Sequence, residues 1–232
     1  MFNKASKKIR ESTYGFLASS VVVEKGQQKK INVSNGTSFM VAPGYLITAA
    51  HSIHQEGDSN KPIHQGFEFI RTPDIGQKME KAVFVAEDKI HDIALLKIDN
   101  LRNSSSVTLE KKIVSRGTSC GFLGFPLANI QFTKDGQRQF NLFERFQGAY
   151  ISSYITFDTG QKTERKIYEI DNMMYSGSSG CPAFTTNARV VGMQVGSIMQ
   201  KRKEDNQTER VAISLVVPST EILDFLKNQG VY

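Results

Sequence analysis

The 232-residue sequence predicts an all-β fold closed by a single C-terminal helix. Three observations carry that expectation. Short apolar runs rich in Val, Ile, Phe, Tyr and Thr recur along the chain with turn residues between them. Helical periodicity is weak except in the last segment, 219–230, and in a short turn after His51. The composition, 39% hydrophobic and 22% charged with fifteen Phe and seven Tyr, is that of a chain able to bury a sizeable core. Many short strands with one terminal helix read as a β-barrel or a sandwich.

The elements follow in order. Residues 1–11 are basic and read as an N-terminal tail. "YGFLASSVVV" (14–23) reads as the first strand. A signal peptide is the competing reading of this start, but the apolar part is short. It runs into Glu24-Lys25-Gly26 rather than a small-residue cleavage site, so a cytoplasmic location is expected. "SFMVA" (38–42), "YLITAA" (45–50), "GFEFI" (66–70), "KAVFVAE" (81–87) and "IALLKI" (93–98) complete a first half, 12–105. "NLRNSSS" (100–106) is the best hinge.

A second half, 106–218, contains "SCGFLGF" (119–125), "GAYISSYITF" (148–157), "KIYEI" (166–170), "CPAF" (181–184), "VVGMQV" (190–195) and "VAISLVV" (211–217). Two long polar loops are expected at 127–145 and 158–166. In the tail, 219–232, Ser219 or Thr220 can cap a helix that Gly230 ends, with Ile222, Leu223 and Leu226 as its apolar stripe.

Composition also excludes functions. The net charge of +6 is scattered along the chain, so no nucleic-acid partner is expected. No apolar run approaches the ~20 residues of a membrane helix, and no membrane partner is expected. Cys120 and Cys181 are too few for a disulfide scaffold and read as buried thiols. His54 and His64 fall in a polar loop, and His91 at a strand end. The H-x-x-H at 51–54 lacks a third ligand, so neither a metal nor any other cofactor is expected.

Three segments carry chemistry. "YLITAAHS" (45–52) runs as a strand into His51, "HDIALLKI" (91–98) places Asp92 at the mouth of a buried strand, and "YSGSSGCPAF" (175–184) is a serine-rich turn before an apolar run. A serine hydroxyl is a poor nucleophile until a base takes its proton, and a third group must hold that base in one tautomer. Histidine suits the base role, because its ordinary pKa of about 6.5 lets it accept and return a proton near neutrality.

These segments together resemble the trypsin/chymotrypsin-like proteases, whose motifs read T-A-A-H, D-I-A-L and G-x-S-G-G-P in the same His…Asp…Ser order. "ISLVVPSTEILDFL" (213–226) is similar to the last strand and helix of HtrA/Deg-type protease domains, without a following PDZ segment. The resemblance covers roughly residues 12 to 230. It implies two six-stranded antiparallel β-barrels with the active site in the cleft between them. It also implies a serine endopeptidase acting through His51, Asp92 and Ser179 and an acyl-enzyme, with the amides of Gly177 and Ser179 as the oxyanion hole.

Two positions depart from the pattern. Cys181 stands where the family has a second glycine, and a packed thiol is its expected role rather than a nucleophile. Ser178 replaces the aspartate of secreted trypsins, so activation by a new N-terminus is not expected. By resemblance, Met173 and Met174, then Gln194, Val195, Gly196 and Ser197, with Ala212 and Ser214 at the base, line the specificity pocket. No acidic residue stands at that base, so a small or medium apolar residue is expected before the scissile bond. The partner is a protein or peptide substrate. A latent protease of one target, switched on by a regulatory partner or by loop ordering, is the alternative, and a non-catalytic peptide-binding module is a more remote one.

Overall fold

The computed structural model describes residues 1–23, 29–70, 79–98, 105–126, 129–132, 138–158, 164–201 and 207–232. It opens with a helix, α1 (Asn3–Arg10), followed by β1 (Thr13–Val23), β2 (Lys29–Ala42), β3 (Tyr45–Ala49), β4 (Gly66–Ile70), β5 (Glu80–Asp88) and β6 (Ile93–Lys97). These six strands close into an antiparallel barrel in the order β1-β2-β3-β6-β5-β4.

The second half contributes β7 (Thr108–Leu109), β8 (Ser119–Gly124), β9 (Asn129–Phe132), β10 (Arg138–Asn141), β11 (Arg145–Asp158), β12 (Glu164–Ile170), β13 (Pro182–Phe184), β14 (Arg189–Lys201), β15 (Thr208–Pro218) and α2 (Ser219–Asn228). Its sheet runs β13-β8-β11-β12-β15-β14-β7, and β13 also pairs with β14. Six of these strands therefore close on themselves, with β7 added in parallel.

Alternation along the strands explains how two barrels share one chain. In β6, Ala94 and Leu96 enter the core of the first barrel with Phe16, Met40 and Phe69. Ile93 and Leu95 point the other way, into a cluster with Phe39, Ile47, Phe184, Met193, Val217 and Leu226. A period of two puts neighbours on opposite faces, and here both faces are buried, so the run reads as continuously apolar. A third cluster, with Phe122, Ile151, Tyr168, Met174 and Val216, fills the second barrel.

Three expectations change. The N-terminal tail is instead a helix over Asn3–Arg10, whose Ala5 and Ile9 are buried. Phe2 packs on Phe146 and Phe184, and Arg10 forms a two-point ion pair with Glu144. Its apolar stripe has only two residues, Ala5 and Ile9, too short a pattern to stand out in the sequence. The Ser219 hydroxyl does not cap α2. It donates to the Glu110 carbonyl at 2.7 Å and so ties the helix to the segment after β7. The expected stripe, Ile222, Leu223 and Leu226, is buried as read.

The loop expected over 127–145 contains a two-stranded ribbon, β9 with β10. Residues 127–128, 133–137 and 159–163 of the two expected loops, and 100–104 of the expected hinge, lie outside the described residues.

Candidate active site

The barrel register brings His51 and Asp92 together. Ala49, the last residue of β3, pairs with Ile93, the first of β6. His51 follows two residues later on a single 3₁₀ turn, Ala50–Ile53, and Asp92 directly precedes Ile93. Asp92 is left-handed, with φ of 59°, a conformation aspartate tolerates better than most residues. Its backbone carbonyl accepts from Ala50 N–H at 3.0 Å, and its Oδ1 accepts from His51 N–H at 2.7 Å. Oδ2 lies 2.7 Å from His51 Nδ1. The carboxylate accepts only, so Nδ1 carries the proton, and Nε2 is left to accept. Nε2 is 2.9 Å from Ser179 Oγ.

Ser179 sits in a turn made of local bonds. Ser178 N–H donates to the Tyr175 carbonyl at 3.0 Å and Cys181 N–H to the Ser178 carbonyl at 2.9 Å. Gly177 and Gly180 have φ of 91° and 86°, which only glycine adopts without strain. A Cβ on Gly180 would collide with the Thr37 carbonyl and the Thr48 hydroxyl. Gly180 N–H donates to the Gln194 carbonyl, and Gln194 N–H returns a bond to Cys181.

Sequence reasoning missed Thr37. This fully buried residue of the first barrel holds the serine turn of the second. Its N–H donates to the Ser179 carbonyl at 2.8 Å, and its hydroxyl donates to the Gly177 carbonyl at 2.9 Å. The same hydroxyl accepts from Phe125 N–H at 3.0 Å. With its carbonyl held by Thr37, the Gly177 peptide has a fixed orientation. Among the described residues, neither Gly177 N–H nor Ser179 N–H donates to a backbone carbonyl. The only sequence signal was a small "GTS" (36–38) leading into an apolar run.

The cleft over His51 and Ser179 has a volume of about 480 Å³ and is lined by Val33, Ser34, Asn35, Ser52, Glu56, Gly57, Ser176 and Gly177 beside these two residues. None of the eight residues expected for the specificity pocket lines it. Met174 packs in the second barrel's core and Val195 in the cluster between the barrels, so both side chains fill cores. Gln194 is buried, with Nε2 donating to the Gly196 carbonyl at 3.0 Å and Oε1 without a partner among the described residues. Ser214 Oγ donates to the Asn172 carbonyl at 2.8 Å and lies 3.2 Å from Ser197 Oγ. Met173 is half-buried, Ala212 is exposed, and a Cβ on Gly196 would meet open space.

The other candidates fall into place as packing groups. Cys181 is buried, and burial pushes its thiol well up, which opposes a nucleophilic role. Burial likewise pushes Cys120 up to about 12. His54 and His64, expected in a polar loop, are both buried. His54 lies 2.6 Å from the Lys61 carbonyl and 2.7 Å from Glu87 Oε2. His64 bridges Ser20 Oγ and Ser34 Oγ at 3.1 and 3.0 Å. These hydrogen bonds satisfy the rings, and that allows the loop to bury them. Among the described residues no three such side chains are grouped to hold a metal ion. His91 lies 2.7 Å from Asp88 Oδ2 and 3.5 Å from Glu221 Oε2, and the Asp88 hydrogen bond raises its pKa.

Residues 36–193 match the trypsin-like peptidase domain family. No curated protein is similar to the chain in sequence at a significant level. Among solved structures, the active form of the Rv3671c protease from M. tuberculosis is similar at a TM-score of 0.67 and 19% identity, over 98% of this chain and 85% of that one. An HtrA-type protease, AlgW, with a tripeptide, is similar at a TM-score of 0.70 and 17% identity, over 98% of this chain and 63% of that one. Both likenesses are of fold. Matched to its family from residue 36 to residue 193, the chain belongs to the trypsin-like peptidases and is a serine protease.

Proposed function

We propose that the protein is an endopeptidase that cleaves through Ser179, with His51 as general base and then general acid and Asp92 holding the imidazole tautomer. Ser179 Oγ attacks the scissile carbonyl carbon as its proton passes to His51 Nε2. Negative charge collects on the carbonyl oxygen, where the Gly177 and Ser179 amides donate to it. His51 then protonates the leaving amine, and the acyl group stays on Ser179 until water, deprotonated by His51, releases it.

The observation that carries this reading is the continuous chain from Asp92 Oδ2 to His51 Nδ1 at 2.7 Å and from His51 Nε2 to Ser179 Oγ at 2.9 Å. The substrate residue before the scissile bond is small or medium and apolar. Support comes from the eight residues expected around it, Met173, Met174, Gln194, Val195, Gly196, Ser197, Ala212 and Ser214, none of which carries a charge. A charged side chain desolvated there would find no counter-ion among them.

The test is the intact mass after incubation with a fluorophosphonate, beside Ser179→Ala. One adduct on the wild type and none on the variant is expected. No adduct on either would overturn the reading of a constitutively assembled site in favour of a latent protease. A peptide-library profile dominated by Arg, Lys or Glu before the cut would overturn the apolar preference.

A further inference from the structure

We infer that Glu56 selects substrates with a cationic side chain, lysine or arginine, on the leaving-group side of the scissile bond. The inference rests on the endopeptidase reading above and adds a substrate class to it.

The cleft defines the side. The leaving amine departs by way of His51, which protonates it. The acyl portion of the substrate belongs with residues 173–174, 194–197 and 212–214, and none of these lines the cleft. Beside the serine turn itself, the cleft is built from Ser34 and Asn35 of β2, from His51, and from Glu56 and Gly57 on the turn just beyond it. It therefore lies where the portion released with the amine must pass.

Its electrostatics define the class. Among the described residues no lysine or arginine lines the cleft, and Glu56 is its one carboxylate. Apart from the His51 imidazole, the remaining polar lining is hydroxyl and amide groups, which accept hydrogen bonds from an ammonium or guanidinium as readily as they donate. Among the described residues Glu56 pairs with Lys61, whose Nζ lies 4.0 Å away on a half-exposed side chain. That surface pair is loose and easily exchanged for a substrate cation.

The backbone supplies an independent argument. Glu56 is left-handed, with φ of 60° and ψ of 12°, and Gly57 follows with φ of 67°. Two consecutive left-handed residues make a turn that glycine or asparagine enters freely and glutamate does not. A strained, charged residue at the rim of a reactive cleft points to a requirement for that carboxylate rather than for the turn.

The closing experiment reads the leaving side directly. A peptide ester acylates Ser179, and a competing amine then captures the acyl group: its nitrogen bonds to the acyl carbon, His51 takes the amine proton and returns it to Ser179 Oγ as the acyl bond to that oxygen breaks. Argininamide and leucinamide are compared, and the ratio of amide product to hydrolysed acid is read by mass spectrometry, so that changes in overall turnover cancel. The wild type is expected to favour argininamide by roughly fivefold, the upper range for a partly exposed ion pair, and less so at high salt. Glu56→Gln, which keeps the shape and removes the charge, is expected to bring the ratio to parity. Glu56→Gly should do the same while melting no lower than the wild type, because it relieves the turn.

Equal capture of the two amines by the wild type, or a preference that survives Glu56→Gln, would overturn the inference and leave the protease reading intact. Absence of ester turnover in the wild type, with no fluorophosphonate adduct, would overturn both.

Discussion

Thr37→Val removes one hydroxyl from a fully buried side chain and keeps its shape. That hydroxyl donates to the Gly177 carbonyl at 2.9 Å and accepts from Phe125 N–H at 3.0 Å, so the substitution strands two buried backbone groups. Each stranded group costs roughly 1–3 kcal/mol. Allowing for some relaxation, the loss of stability is about 2–4 kcal/mol, less than the ~5–15 kcal/mol by which domains are ordinarily folded.

The effect on turnover is separate from that loss. The Gly177 carbonyl belongs to the Gly177–Ser178 peptide, whose other end is held by the Ser178 N–H bond to Tyr175. Without the Thr37 bond only that one hold remains, and the looser peptide disturbs the adjacent Gly177 amide, one of the two proposed oxyanion donors. Loss of a donor outright lowers turnover by ~10²–10³, so a donor that is only loosened lowers kcat by about 10- to 100-fold with little change in KM. The assay is kcat and KM on a peptide ester below the melting point, with urea unfolding of the same preparations. Thr37→Ser, which keeps the hydroxyl, should hold kcat near the wild-type value. A folded Thr37→Val with kcat within twofold of the wild type would refute the tether, whatever its stability.

Three further outcomes are expected. Asp92→Asn leaves the geometry but lets Nε2 keep the proton, and kcat on the same ester should fall by about 10⁴; a loss below tenfold would remove Asp92 from its role. His91→Gln tests a pH-dependent link between the barrel that holds Asp88 and helix α2. The folded pKa of His91 is raised by its Asp88 hydrogen bond, so its stabilisation is fully present below the ordinary value of 6.5 and is lost as pH rises through the raised value. The gap in Tm between wild type and variant should therefore be widest in acid and close in alkali, and a gap that widens with pH would contradict it. Iodoacetamide at pH 8 should leave mass and activity unchanged, because Cys120 is pushed up to about 12 and Cys181 also rises with burial.

That His51, Asp92 and Ser179 come together was legible in the sequence, because acyl transfer restricts the residue types and because each stands at the end of an apolar run. Where the chain needed only period-two alternation, as in "IALLKI", the strand was legible too. Where the side chains of residues 194–197 point was not, and β14 shows why. Its register with β15 shifts between Gln194 and Gly196 and again between Ser197 and Met199. A bulge re-aims the side chains that follow it, and nothing in "VVGMQVGS" marks where the alternation breaks. Thr37 and Glu56 escaped for a different reason. Their roles come from what approaches them in space, a serine turn 140 residues on for Thr37 and a cleft wall for Glu56, while locally each is an ordinary polar residue. Helix α1 was missed because Phe2 finds its partners, Phe146 and Phe184, far along the chain, and Ala5 and Ile9 join the same distant cluster as Phe184.

The bond from Thr37 N–H to the Ser179 carbonyl makes the reactive serine a property of neither half alone. In a denaturant series, the appearance of fluorophosphonate reactivity would report the moment at which the two halves dock. A half folded by itself would have native strands and a silent serine. Activity in this chain is thus a direct reading of cooperativity between its barrels, and a substitution at their shared surface can silence the enzyme without touching any residue that meets the substrate.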